Sequence, residues 1–274
     1  MRHRLENLSA IAYYLGSLLC LFAPVLLMPL VVVPLRIAGV EEVSPACYGV
    51  PAGCSLAVGL LLRRRRTPRR LNNRTAFLLC ALGWLTISAF GAVPLATGAG
   101  MPVTDALFES VSGFTTTGIT LLQNLQDLPR SILLWRAIIQ WIGGLGILTF
   151  FLLVVFSEDS AHRLFSAETH KIFSKRPVPG LWHTVRILWS IYGGFTALIA
   201  VLLVLEGVTV FDAVCHALTT LSTGGYSPYD SSIGHFAEAG YRHAVLIEYT
   251  VMGGMLAGGI NFLFHYRALT GEPG

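Results

Sequence analysis

The chain has 274 residues, of which 54% are hydrophobic and 12% charged, with a mean hydropathy of +0.65. A soluble domain carries about 25% charged residues, so too little charge is present to cover a water-facing surface, and a soluble globular enzyme is excluded on that ground. The formal net charge of +4 is concentrated in a few loops and reads as membrane topology rather than nucleic-acid binding.

The elements follow in chain order. Residues 1–8 are polar, with Arg2 and Arg4, and Ser9 to Leu35 is an apolar run too long for a signal-peptide core, so a retained helix is expected, kinked or ended early by Pro24, Pro29 and Pro34. After Glu41 and Glu42, Cys47 to Leu62 forms a short second span. The run Arg63-Arg64-Arg65-Arg66-Thr67-Pro68-Arg69-Arg70 abuts two apolar segments and reads as a cytoplasmic stop signal. Thr75 to Thr97 is a third span, Ser131 to Phe156 a fourth, Thr184 to Leu205 a fifth and Tyr241 to Tyr266 a sixth. The five cysteines are scattered, without zinc-type spacing, and read as small packing residues.

Placing the N-terminus in the cytoplasm and alternating puts 15 of the 19 basic residues on the inner side. The half-polar stretches 99–130 and 207–239 then both fall on the outer face. Each is too short and polar to span a bilayer, and each contains a threonine–glycine turn. Backbone of that kind at membrane depth is tolerated where it lines a cavity or is buried in protein. The expected fold is therefore an all-α membrane protein of six transmembrane helices with two re-entrant loops, each a short pore helix followed by extended backbone.

The two stretches match. An offset of 107 residues carries Asp105-Ala106 onto Asp212-Ala213, Thr116 onto Thr223, Gly118 onto Gly225 and Thr120 onto Ser227. The chain divides accordingly into an N-terminal hairpin with its basic loop (1–74), a first helix–pore loop–helix unit (75–156), a cytoplasmic linker (157–183) and a second unit with a short tail (184–274).

The chemistry explains these letters. A cation entering a membrane exchanges its water shell for other oxygens, which rings of backbone carbonyls supply. Glycine permits the dihedrals that aim successive carbonyls one way, and a short helix ending at the pore turns its negative end toward the ion. Filter lining is accordingly favoured over a plain turn for Thr115, Thr116, Thr117, Gly118 and Ile119, and for Ser222, Thr223, Gly224, Gly225 and Tyr226. A monovalent cation, K⁺ or Na⁺, would be held by the carbonyls of Thr116, Thr117, Gly118, Thr223, Gly224 and Gly225. Glu109 reads either as a pore-mouth attractor or as a carboxylate satisfied by nearby backbone. Arg136 reads as snorkelling or paired within the bundle, Glu248 as a buried hydrogen-bonded partner, and His216 as packed and hydrogen-bonded. No nucleophile, catalytic dyad or phosphate loop has a supporting context, so no enzyme and no cofactor is expected.

Phe108-Glu109-Ser110-Val111-Ser112-Gly113-Phe114-Thr115-Thr116-Thr117-Gly118, Trp135-Arg136 with Gln140-Trp141-Ile142-Gly143-Gly144-Leu145-Gly146, and Phe211-Asp212-Ala213 leading to Ser222-Thr223-Gly224-Gly225-Tyr226-Ser227 resemble the Trk/Ktr/HKT superfamily of potassium transporters. The leading pair of spans resembles the N-terminal hairpin of the TrkH/TrkG branch. The resemblance implies potassium uptake across a bacterial inner (plasma) membrane, with Gly118 and Gly225 as key filter glycines. It also implies a cytosolic nucleotide-binding regulatory subunit, with loop 157–185 as a contact. Members of that superfamily carry four such units and this chain carries two. Membrane lipid aside, the expected partners are thus a second copy of the chain or a polypeptide with the remaining repeats. The alternative function is a split or truncated half-transporter, non-conducting until completed.

Overall fold

The computed structural model describes residues 2–31, 43–64, 73–154 and 181–270. Pro34, Glu41 and Glu42, the arginines Arg65, Arg66, Arg69 and Arg70, and most of loop 157–185 lie outside the described residues. Among the described residues ten α-helices follow one another: α1 (Arg2–Leu27), α2 (Ala46–Arg63), α3 (Asn73–Gly98), α4 (Val103–Phe114), α5 (Arg130–Val154), α6 (Leu181–Leu205), α7 (Val210–Leu221), α8 (His235–Glu238), α9 (Ala244–Gly259) and α10 (Phe262–Thr270). There is no β-strand among the described residues. Among the described residues four stretches, Leu8–Val31, Ala46–Arg63, Thr75–Gly98 and Val185–Leu205, are long and apolar enough to cross a bilayer.

α1 runs through Pro24 and ends at Leu27, with one 3₁₀ turn over Met28–Val31. Its crossing with α2 is close because Gly16 and Gly59 meet: a methyl on Gly16 would lie 2.6 Å from the Gly59 carbonyl oxygen. The Ser55 hydroxyl closes the same contact on the carbonyl of Leu19 at 2.9 Å. This hairpin packs on the first unit, where the Phe22 ring lies edge-on to Phe114 at 5.8 Å and tilted against Trp135 at 6.3 Å between centroids.

Two apolar cores result. One joins α1 to α5 and includes Phe22, Leu79, Leu95, Phe114, Trp135 and Ile139. The other joins α6, α7, α8 and α9 through Tyr192, Leu203, Leu221, Phe236 and Ile247. Trp141 links them: its ring stacks on Tyr192 at 5.4 Å, its Nε1 donates to Thr196 Oγ1 at 3.0 Å, and its carbonyl accepts from Tyr192 Oη at 2.9 Å.

The fourth and sixth expected spans are not continuous helices. α5 is interrupted at Gly146, where φ is 80° and ψ 144°. The sixth span is cut into α9 and α10 at Ile260, which is extended with φ −81° and ψ 138°. The two breaks are one structural event used twice. Gly143 of α5 lies against the carbonyl of Phe114, the last residue of α4, and Gly258 of α9 lies against the carbonyl of Leu221, the last residue of α7. A helix that must pass a short helix end this closely needs glycine there, and each break comes within three residues of that glycine.

The two short helices start differently. Thr209 caps α7, accepting from the Asp212 N–H at 3.2 Å. Thr104 lies inside α4 and turns its hydroxyl on Asp105 instead, the N-cap position being Pro102. Thr209→Ala is therefore expected to lower stability by about 1 kcal/mol, read as thermal unfolding of the detergent-solubilised chain. Thr104→Ala, with no cap to lose, shifts it by less than about 0.5 kcal/mol.

Candidate functional site

The site is built from the C-terminal ends of α4 and α7 and the extended segments that leave them. Each helix closes with the same three backbone bonds. Thr115 N–H donates to Val111 O (2.9 Å), Thr116 N–H to Gly113 O (3.0 Å) and Thr117 N–H to Ser112 O (2.9 Å). At the 107-residue offset, Ser222 N–H donates to Leu218 O (3.4 Å), Thr223 N–H to Thr220 O (3.0 Å) and Gly224 N–H to Thr219 O (3.0 Å). The dihedrals repeat as well. φ is positive at Thr116 (54°) and Gly118 (77°), and again at Thr223 (56°) and Gly225 (80°), with Thr117 and Gly224 between them on the other side. A threonine held in the left-handed region is strained, and here it occurs twice at one position of a repeated turn. The match continues beyond the glycines: Leu122 N–H donates to Thr120 Oγ1 at 3.1 Å, and Tyr229 N–H to Ser227 Oγ at 3.0 Å.

The two segments touch. The face of Gly118 where a side chain would stand is directed at the carbonyl of Gly224, which a methyl group could not clear. Thr115, Thr117, Ile119, Thr223 and Gly225 are exposed, Thr116 and Gly118 are half-buried, and Ser222, Gly224 and Tyr226 are buried. Within the expected set, Ser222 thus turns inward, its hydroxyl donating back to Leu218 O and Thr219 O at 3.0 and 3.1 Å. Tyr226 also turns inward and crosses between the units, donating to the carbonyls of Glu109 (2.9 Å) and Ile119 (3.3 Å).

A polar network stands behind the segments. Glu109 is 0% and Arg136 1% exposed, and Arg136 Nε meets Glu109 Oε1 at 3.0 Å. Glu109 also accepts from Thr120 Oγ1 at 2.8 Å and from the Leu121 N–H at 3.0 Å, which pins the first segment past its glycine. Arg136 Nη2 donates to Thr120 Oγ1, and its Nη1 reaches across to the Ser227 carbonyl, both at 3.0 Å. Its guanidinium lies 4.2 Å from the Tyr226 ring centroid. Of the two readings of Glu109, satisfied carboxylate is the one realised, and Arg136 is paired rather than snorkelling. Gln140, fully buried, accepts the Tyr226 N–H on Oε1 at 3.0 Å.

The second unit does not copy this network, for a backbone reason. The offset carries Glu109 onto His216 and Leu121 onto Pro228, which has no N–H to offer a carboxylate. His216 is buried against Phe236, with ring centroids 5.3 Å apart, but its Nε2 has no hydrogen-bond partner, so the expected hydrogen bond is absent at that atom. The second segment is steadied from the far side instead, where Tyr229 Oη donates to Asp212 Oδ2 at 2.9 Å. Burial, and after it that carboxylate, push the Tyr229 phenol above its ordinary range, so it stays a donor. Glu248, expected to be buried, is exposed on α9. Its neighbour Ile247 takes the core-facing position, which leaves Glu248 rotated off that face.

Among the described residues no group of three His, Cys, Asp or Glu side chains could hold a metal ion. The oxygens available at the site are backbone carbonyls and threonine hydroxyls, a set suited to a weakly hydrated cation rather than to Mg²⁺ or a transition metal. Gln140 was missed as a site residue by sequence reasoning. Its signal was a polar amide within an otherwise apolar span.

The family model TrkH, described as a cation transport protein, matches residues 52–271. The chain is 36% identical over 247 residues to the Trk system potassium uptake protein TrkI of Halomonas elongata, covering 88% of this chain and 49% of that protein. It is 31% identical over 269 residues to the Trk system potassium uptake protein TrkH of Escherichia coli, covering 96% and 54%. The crystal structure of the potassium transporter TrkH from Vibrio parahaemolyticus superposes with a TM-score of 0.78 at 28% identity, over 98% of this chain and 53% of that one. The chain spans about half the length of the curated relatives it matches.

Proposed function

The chain belongs to the TrkH family of cation transport proteins, and from that premise we propose that it is an ion-conducting subunit, or half of one, for potassium uptake. K⁺ sheds water at the two Thr–Gly segments, where the carbonyls of Thr116, Thr117, Gly118, Thr223, Gly224 and Gly225 replace its hydration shell. The observation that carries the reading is the pair of identical strained turns, positive φ at Thr116/Gly118 and Thr223/Gly225, brought into contact at Gly118 and Gly224. Strain kept twice at one place calls for a role that an ordinary turn does not have.

In this reading the chain crosses a bacterial inner membrane six times from a cytoplasmic N-terminus, and α4 and α7 re-enter from outside. Both short helices direct their C-terminal ends toward the ion path, adding negative potential where the cation sits. The transported ion is the only ligand the site requires. Loop 157–185 is the contact for a cytosolic nucleotide-binding regulatory subunit.

One observation favours a second reading. A ring of carbonyls around an ion needs more than two segments, and the flanks Thr117, Ile119, Thr223 and Gly225 are exposed. In that reading the chain does not conduct until another polypeptide supplies further segments. Growth of potassium-uptake-deficient cells at low K⁺ separates the two. Growth on the chain alone, abolished by Gly225→Asp, supports conduction by copies of this chain. No growth without a second polypeptide supports the half-transporter. Growth unchanged by substitutions at both Gly118 and Gly225 refutes the filter in either form.

A further inference from the structure

Gly224 is held from two sides. The carbonyl of Gly224 abuts Gly118, and its Cα lies against the carboxamide of Gln140: a methyl there would stand 2.5 Å from Oε1 and 2.7 Å from Nε2. From Gly118 a methyl would reach within 3.9 Å of the same Nε2. Gln140 Oε1 also accepts the N–H of Tyr226, the residue directly after Gly225. One buried side chain from α5, in the first unit, therefore sets how near the second unit's segment can approach. Its Nε2 has no hydrogen-bond acceptor among the described residues, a cost that packing within α5 does not explain.

We propose that Gln140 is a positioning residue that fixes the separation of the two Thr–Gly segments and thereby which monovalent cation the site prefers. The inference rests on the filter reading above. Whether a carbonyl site selects by cavity size or by the field of its dipoles, the preference depends on how the segments are spaced. A glutamine suits the task because length and bonding act together. Its carboxamide blocks Gly224 sterically, and its oxygen ties Tyr226 so that the segment cannot swing away. Shortening the side chain lets the segment advance. Removing the acceptor lets it retreat.

The test uses the purified full chain in detergent, together with any second polypeptide that the growth assay shows it to need. Thermal unfolding is followed against rising KCl or NaCl, with choline chloride holding ionic strength constant. The readout is the ratio of the Na⁺ and K⁺ concentrations giving half of the maximal stabilisation. The wild-type chain is expected to be stabilised at lower K⁺ than Na⁺. Gln140→Met, of similar length but without the acceptor, is expected to lower that ratio about tenfold, the scale of one lost buried hydrogen bond. Gln140→Glu keeps both length and Oε1 and, measured at acid pH where the enclosed carboxyl is neutral, is expected to restore the ratio, which a purely structural role would not distinguish. Should Gln140→Met fail to fold, Gln140→Asn, shorter by one methylene, is measured in the same way. A wild-type ratio retained in the Met or Asn variant overturns the role given to Gln140 and leaves the filter reading standing. A wild-type chain stabilised equally by both ions overturns the filter reading, and this inference with it.

Discussion

Gly118→Ala is expected to abolish potassium uptake while Gly225→Ala only weakens it. Both residues have left-handed backbone, with φ of 77° and 80°, so each substitution bears a conformational cost of roughly 1–2 kcal/mol. Their surroundings differ. A methyl on Gly225 meets nothing within 4 Å, whereas one on Gly118 runs into the carbonyl of Gly224. That atom is backbone, and it is backed by Gln140, so it cannot give way without moving the second segment. Overpacking of this kind costs a further ~1–3 kcal/mol, and the combined loss of roughly 2–5 kcal/mol corresponds to a drop of about thirtyfold or more. Uptake of rubidium by potassium-uptake-deficient cells, normalised to membrane protein level, measures it, with any second polypeptide the chain needs co-expressed. Equal effects at the two glycines would mean that conformation alone matters and that contact between the segments does not.

This asymmetry marks where the sequence stopped being legible. The offset of 107 residues aligned Gly118 with Gly225 as equivalents, and their dihedrals are equivalent. Nothing in the letters said that Gly118 faces the carbonyl of Gly224, because that contact is made between units. The four stretches that are long and apolar enough to cross a bilayer were readable from composition, since each is a continuous run. The breaks at Gly146 and Ile260 were not, because they follow from how closely α5 and α9 pass the ends of α4 and α7. Glu109 and Arg136 were visible as costly charges, but their pairing crosses from one helix to another across 27 positions of chain. Thr116 and Thr223 hold a conformation that their side chains disfavour, so no local propensity could have found it. Glu248 shows the opposite limit: its position within an apolar run suggested burial, but the run sets only the helix and not the face.

Arg136→Leu is expected to be the most destabilising single change, because it leaves an enclosed carboxylate without its counter-charge, held only by the Thr120 hydroxyl and the Leu121 N–H. Removing one partner of a buried ion pair costs about 3–5 kcal/mol, and Glu109 is fully enclosed. Glu109→Leu should cost a similar amount by stranding the guanidinium, although Arg136 keeps the Ser227 carbonyl. The double variant Glu109→Leu/Arg136→Leu is expected to recover much of the lost stability, since two well-packed apolar side chains replace a buried pair at little net cost. It should not recover uptake. The pair also holds Thr120 and the Leu121 N–H in the first segment and the Ser227 carbonyl in the second, and leucine can bond none of them. Thermal unfolding in detergent and rubidium uptake, measured on the same four proteins, separate these effects. A double variant that regains both stability and uptake would show that the pair only fills space. Stability regained without uptake would show that the charges are kept to hold the two segments where the ion needs them.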